Sequence, residues 1–245
     1  MYLTAFKDEL NTNNHNNDDI YLICQFFIHK NTKRYEEIKF CLKQNIKLGL
    51  FKDIILLNER IYTKNELGLN DDEMKHVKQI NINKRLSYID VFIQVKKLNL
   101  DGYIIFCNSD IFFDNTINNV RKSCLSQSKS LYTLLRFEYT NTNLNKCKLF
   151  NHPRTNDPRN DSQDVWIYHT KQLILDNQLI RYLNFNLGVP GCDNKITYIF
   201  TKLGYRCINE PYNVKTYHYH STNIRNYTVK DIVKPPYLFV KPILR

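Results

Sequence analysis

Glycine and proline are both scarce in this chain, at 6 and 7 of 245 residues. That excludes the Pro/Gly-rich compositions that never bury a core. No apolar run approaches the roughly 18 residues that a membrane-spanning helix needs, so none is expected. No basic stretch followed by an apolar one opens the chain, so no export signal is expected. The 7 cysteines include no C-x-x-C pair, and their number is odd. Reduced, buried thiols are therefore expected rather than a zinc site or a disulfide framework. The basic residues form no dense block and no DNA-reading helix is apparent, which argues against a nucleic-acid partner. No internal repeat is evident.

What is present suits one sizeable domain. Hydrophobic residues make up 42% and aromatics 13%. The formal net charge is +11. Spread along the chain, it reads as solvated faces with local contacts to an anion such as a phosphate. Residues 1–19 are polar and Asn-rich and are expected to form a loose arm. Apolar runs at 21–28, 53–57 and 103–107 predict strands. The spacing of Tyr35, Ile38, Cys41, Leu42 and Ile46 predicts a helix over 33–47, and a second is predicted over 87–98. Strand and helix alternate, the pattern of a parallel sheet wound by helices. Beyond Asp114 the pattern loosens. A short helix is predicted at 115–123, a strand at 131–139, a long loop at 141–161 and a strand at 165–169. A helix at 194–203 and strands at 205–208 and 214–219 follow. No linker divides the chain. The expectation is one α/β domain over 20–230, with a nucleotide-binding half (20–114), an acceptor half (115–230) and a tail (231–245) wrapping the surface.

Four segments can carry chemistry. Asn108-Ser109-Asp110 ends the buried run at 103–107. It is either a turn using its side-chain hydrogen bonds or a site where Asp110 holds a hard divalent cation against a phosphate. Asp114 is a second carboxylate nearby or a helix cap. Gly188-Val189-Pro190-Gly191-Cys192-Asp193-Asn194 makes a sharp, open turn into a helix. There Asp193 is a cap, a general base at the mouth of the sheet, or both. Ser162-Gln163-Asp164-Val165-Trp166 sets a carboxylate beside the single tryptophan. Asp164 is a second candidate for the base or a partner for sugar hydroxyls, and Trp166 is a sugar-stacking ring or a core residue. Last, His218-Tyr219-His220 puts both histidines on one face of a strand. Either can meet a metal held by Asp110, or both are simply edge histidines. Arg225 suits phosphate oxygens, and Arg85, opening a helix, lies either in solvent or against a nucleotide.

In this order the segments resemble a GT-A-type nucleotide-sugar glycosyltransferase, over roughly residues 21–227. Asn108-Ser109-Asp110 is similar to the family's Asp-x-Asp motif, with Asn in the first acidic place. Cys192-Asp193-Asn194 is similar to its x-Glu-Asp motif, with only the Asp retained. His220 falls where the family has a late metal-binding histidine. The set is most similar to the small glycosyltransferases of large DNA viruses, such as the chlorella-virus capsid enzyme domain, and of bacterial relatives. The resemblance implies a single GT-A-like (Rossmann-like) domain with a mixed, mostly parallel sheet. It implies a nucleotide-sugar donor such as a UDP-sugar, a Mn²⁺ or Mg²⁺ ion, and a glycan or glycoprotein acceptor. Asp110 and His220 would hold the ion, and Asn108 and Ser109 the ribose. Gln25, Phe26 and Phe27 would flank the base, and Arg85 and Arg225 would contact the nucleotide and its phosphates. Trp166 would meet the acceptor, and Asp193 or, failing it, Asp164 would take the acceptor proton with inversion. A cytoplasmic protein is expected, in a viral host or virion on the resemblance. A nucleotide- or glycan-binding module without turnover and a nucleotidyltransferase are the competing readings.

Overall fold

A computed structural model describes residues 17–141, 143–173, 177–222, 224–225 and 227–244. Of the expected arm at 1–19, residues 1–16 lie outside the described residues. The strands are β1 (Ile20–Cys24), β2 (Asp53–Asn58), β3 (Val77–Asn81), β4 (Tyr103–Cys107), β5 (Ile111–Phe113) and β6 (Ser130–Leu135). They continue with β7 (Phe137–Glu138), β8 (Lys148–Leu149), β9 (Gln163–His169), β10 (Arg206–Ile208) and β11 (Thr216–His218). The helices are α1 (Thr32–Leu48), α2 (Lys64–Leu67), α3 (Asp71–Met74), α4 (Tyr88–Lys97), α5 (Asn177–Tyr182) and α6 (Cys192–Lys202).

The strands that read as unbroken apolar runs are the inner ones. Seven strands lie in the order β10-β6-β9-β4-β1-β2-β3, and a small sheet runs β5-β11-β7-β8. In the large sheet β9 alone runs antiparallel to its neighbours β4 and β6; the other pairs are parallel. This is the expected mixed, mostly parallel α/β domain. Alternation along the strands sends Leu22, Ile54 and Ile105 to one face, where they pack with Ile38, Leu42 and Ile46 of α1. It sends Ile23, Ile55 and Phe106 to the other face, against Val91, Phe92 and Val95 of α4 and Ile196, Ile199 and Phe200 of α6. Each such side chain, taken fully from water, contributes about 1.5–3 kcal/mol.

Several predicted boundaries shift, and each shift has a local cause. β1 stops at Cys24 rather than at residue 28, because the Phe26 amide donates to the Asn58 side chain (2.8 Å) instead of to a strand. The run at 131–139 is two strands in two sheets, broken at Arg136. The long loop at 141–161 contains the two-residue β8 paired with β7. Asp114 is a cap: its Oδ1 accepts from the Thr116 amide (2.9 Å) and its Oδ2 from the Tyr217 hydroxyl (2.8 Å). α6 begins two residues earlier than predicted, with Gly191 (φ +79°) before it. A Cβ on Gly191 would come within 2.6 Å of the Tyr237 hydroxyl, so the tail itself demands glycine there. The tail crosses the start of α6, with the Val233 amide on the Pro190 carbonyl (3.0 Å) and the Leu238 amide on the Asn194 carbonyl (3.1 Å). No helix among the described residues is long and apolar enough to cross a membrane.

Candidate active site

A cleft of about 640 Å³ opens beyond the carboxyl ends of β1 and β4, where open α/β sheets bind ligands. Asp110 enters it from the turn after β4. The antiparallel pairing of β5 with β11 sets His218 opposite Ile111, and the Tyr219 amide bonds the Asp110 carbonyl (2.9 Å). This register carries both histidines to Asp110. His218 Nε2 is 3.1 Å and His220 Nδ1 is 3.8 Å from Asp110 Oδ2. One ligand atom from each residue lies within 4.8 Å of the others.

The donor set fits a divalent ion. His220 Nε2 donates to the Ile224 carbonyl (2.9 Å), which leaves Nδ1 as a lone pair aimed at the cluster. Nδ1 of His220 and Oδ1 of Asp110 are buried with no hydrogen-bond partner among the described residues. Burial, then the Arg34 charge, pull the His220 pKa down to about 4, so the ring is neutral. Burial also opposes the charge on Asp110, but His218 and Arg34 overcome it and hold the carboxyl well below the usual range. For His218 burial works against protonation, yet Asp110 and then Glu138 hold the ring up at about 9, so an ion binding there would displace a proton from His218 before that ring could ligate it. Glu138 sits 3.1 Å from His218 Nδ1, the carboxylate–imidazole pairing that orients metal-ligating histidines. Arg34 ion-pairs with Asp110 and with Glu37 (2.9 Å). Glu37 in turn accepts from the Ser221 amide (2.8 Å), so α1 fixes the turn that follows His220.

Two further carboxylates line the same cleft. Asp193, in the first turn of α6, accepts from the Asn194 amide (2.9 Å) and the Gln163 amide (3.2 Å). Burial, then the neighbouring Asp164 charge, push its pKa up to about 7. Asp164 has both oxygens engaged, one by the Asn108 amide group (2.6 Å) and one by Arg136. Asn108, Ser109, Phe27, Arg85 and Arg225 line the same cleft. Arg85 donates to the Leu187 (3.3 Å) and Gly188 (2.8 Å) carbonyls, bracing the glycine turn. No described residue pairs with the Arg225 side chain.

Two expected contacts, those of Trp166 and Phe26, are corrected. Trp166 is 0% exposed, stacked on Phe106 (5.5 Å) and edge-on to Tyr88 (5.1 Å) beneath α4. It cannot meet an acceptor, because the face of β9 that it shares with Asp164 runs beneath α4 by the time it reaches Trp166. Phe26 is 1% exposed, packed against Tyr62 and Tyr35. Gln25 lines the cleft, but its amide is engaged by the Leu57 and Lys84 carbonyls and the Leu86 amide. It is a brace between β1 and the approach to α4. We expect Trp166→Phe to lower stability in denaturant unfolding, as removal of buried aromatic volume does, and to leave the acceptor KM unchanged. A raised KM at unchanged stability would restore the acceptor role.

Sequence reasoning missed Arg34, Arg136 and Glu138. Each carried a signal: Arg34 and Glu37 interrupt the apolar face of α1 at helical spacing, and Arg136 and Glu138 interrupt an apolar strand run.

No protein-family model and no curated protein matches the chain. Solved structures do. GalNAc-T7, crystallised with UDP, GalNAc and Mn²⁺, superposes with a TM-score of 0.55 at 12% identity, covering 84% of this chain and 45% of that one. The mannosyltransferase PcManGT from Pyrobaculum calidifontis, in complex with GDP-Man and Mn²⁺, gives 0.51 at 10% identity, covering 85% and 58%. The chain thus spans about half the length of these two solved structures. At such identities the likeness is one of architecture: this chain has a GT-A-type fold.

Proposed function

We propose that the protein is a divalent-metal-dependent glycosyltransferase that moves a sugar from a nucleotide sugar, with UDP as the nucleotide, to a hydroxyl of a glycan or glycoprotein. The observation that carries this reading is that the Asp110–His218–His220 cluster and Asp193 line one cleft. The fold likeness to two transferases crystallised with nucleotides and Mn²⁺ supports it.

Asp110, His218 and His220 are the residues that would hold the ion. A divalent ion there supplies Lewis-acid stabilisation of the charge that builds on the departing diphosphate. Arg225 and Arg85 add fixed positive charge on the donor side, and Phe27 offers a ring to the base. Asn108 Oδ1, buried without a partner, is left to accept from a ribose hydroxyl. Asp193 takes the proton of the acceptor hydroxyl as that oxygen attacks the anomeric carbon, on the side opposite the leaving group. The configuration is thereby inverted.

Incubation with UDP-sugars and Mn²⁺, with free UDP as the readout, tests the reading. UDP that binds yet is released from no sugar donor would leave a binding module. Pyrophosphate released from a nucleoside triphosphate would make it a nucleotidyltransferase. Two imidazoles among three ligands also favour Mn²⁺ over Mg²⁺, which prefers an all-oxygen shell. We expect Mn²⁺ to tighten UDP binding more than Mg²⁺ at equal concentration in calorimetry. Equal effects would argue against imidazole ligation.

A further inference from the structure

Arg136 stands where the chain leaves the large sheet for the small one, between β6 and β7, on the floor of the cleft. Its side chain is 7% exposed. It ion-pairs with Asp164, donates to Ser162 Oγ (2.9 Å) and to Glu138 Oε1 (2.7 Å), and lies 4.0 Å over the Phe150 ring. The other oxygen of Glu138 meets His218 Nδ1 (3.1 Å), and His218 Nε2 meets Asp110 (3.1 Å). Charges of alternating sign thus run Asp164–Arg136–Glu138–His218–Asp110 beneath the cleft.

We propose that Arg136 is a positioning residue serving both walls at once: one guanidinium fixes Asp164 on the acceptor side and, through Glu138, the imidazole of His218 on the ion side. The inference rests on the transferase reading of this cleft. Only arginine offers several donors in a rigid fork, so one side chain can satisfy two carboxylates in different sheets. The acceptor-side consequence concerns Asp193. The ionisable groups facing it are Asp164 from β9, Tyr88 from α4 and Cys192 on its own helix. Arg136 acts on it only through Asp164. Without the guanidinium, two close carboxylates lack a compensating cation, and the pair keeps a proton to higher pH.

The test uses Arg136→Gln and Arg136→Lys, each checked for folding by circular dichroism and thermal melting. Mn²⁺ alone is titrated into each protein, and the pH profile of UDP release with acceptor present is recorded. Arg136→Gln is expected to weaken Mn²⁺ binding by about 10-fold or more, as loss of outer-shell support does. It is also expected to move the acidic limb of the profile upward by about one pH unit. Arg136→Lys keeps the charge without the fork. It is expected to weaken Mn²⁺ binding while leaving the limb in place, and it decides the question if the Gln variant does not fold. A folded Arg136→Gln protein that keeps either wild-type property overturns the dual role. A merely structural Arg136 would lower the melting temperature and move neither. If the wild-type protein releases no UDP from any sugar donor, the transferase reading fails instead, and the Mn²⁺ titration still decides whether Arg136 supports the ion site.

Discussion

Asp193→Asn is expected to leave Mn²⁺-dependent UDP binding intact and to lower sugar transfer by about 10²–10⁴-fold, the usual worth of a positioned base. The amide keeps the shape, but the Gln163 and Asn194 backbone amides bond different oxygens of Asp193 and Asn can accept from only one of them, so a thermal melt of the variant is compared with the loss of transfer. The environment suits the role. Burial and the adjacent Asp164 charge raise the Asp193 pKa to about 7, matched to an acceptor near neutrality. The sign follows directly. Below that value the carboxyl is protonated and cannot take a proton. Transfer is therefore expected to rise with pH through about 7 and then level. Steady-state kcat/KM across pH 5–9 for both proteins measures it. Asp164 is the poorer candidate because Asn108 and Arg136 occupy both its oxygens. If Asp164→Asn lost transfer with donor binding retained and Asp193→Asn did not, the base would be Asp164.

Where the sequence had a strong local pattern, the elements came out close to their predicted bounds. β4 is the clearest case: five apolar residues between Gly102 and Asn108 form a strand buried on both faces. β3 went unpredicted because it is the edge strand, with only Val77 fully buried and no clean alternation. α2 and α3 each hold four residues, too short to show a period, although Thr63/Glu66 and Asn70/Glu73 form capping boxes that mark their starts. The 131–139 run looked like one strand because apolar alternation carries no mark of a change of sheet; only Arg136 betrayed the break.

The site was legible in type but not in facing. Period-two spacing put His218 and His220 on one side of a strand, and the structure brings both to Asp110 rather than selecting one. The same spacing joins Asp164 and Trp166, but it cannot say where a strand passes from an open cleft to a covered core. That depends on α4 lying over Trp166, a contact between residues 78 apart in the chain, Tyr88 and Trp166. Buried charges were the other blind spot. Arg34 and Arg136 resemble solvated residues until the carboxylates that neutralise them, Asp110 and Asp164, are brought in from distant segments.

The second large effect belongs to Asp110. Asp110→Asn is expected to abolish the Mn²⁺-dependent gain in UDP affinity. Outer-shell partners alone are worth about 10–100-fold in metal affinity, so loss of the charged ligand should exceed roughly 100-fold. The difficulty is that Asp110 also neutralises buried cations, and breaking a buried ion pair costs about 3–5 kcal/mol. Here the cost is moderated. Arg34 keeps Glu37 (2.9 Å) and the Tyr219 carbonyl (3.1 Å), and His218 keeps Glu138 (3.1 Å). The variant should therefore fold, with a lower melting temperature. His220→Ala separates the two effects. His220 is neutral, and among the described residues its ring hydrogen-bonds the Ile224 carbonyl, so its loss removes an ion ligand without stranding a buried charge. Calorimetric titration of UDP with and without Mn²⁺ should then show both variants insensitive to the ion, with only Asp110→Asn strongly destabilised. An Asp110→Asn protein that still binds UDP more tightly with Mn²⁺ than without would mean that the ion is held elsewhere.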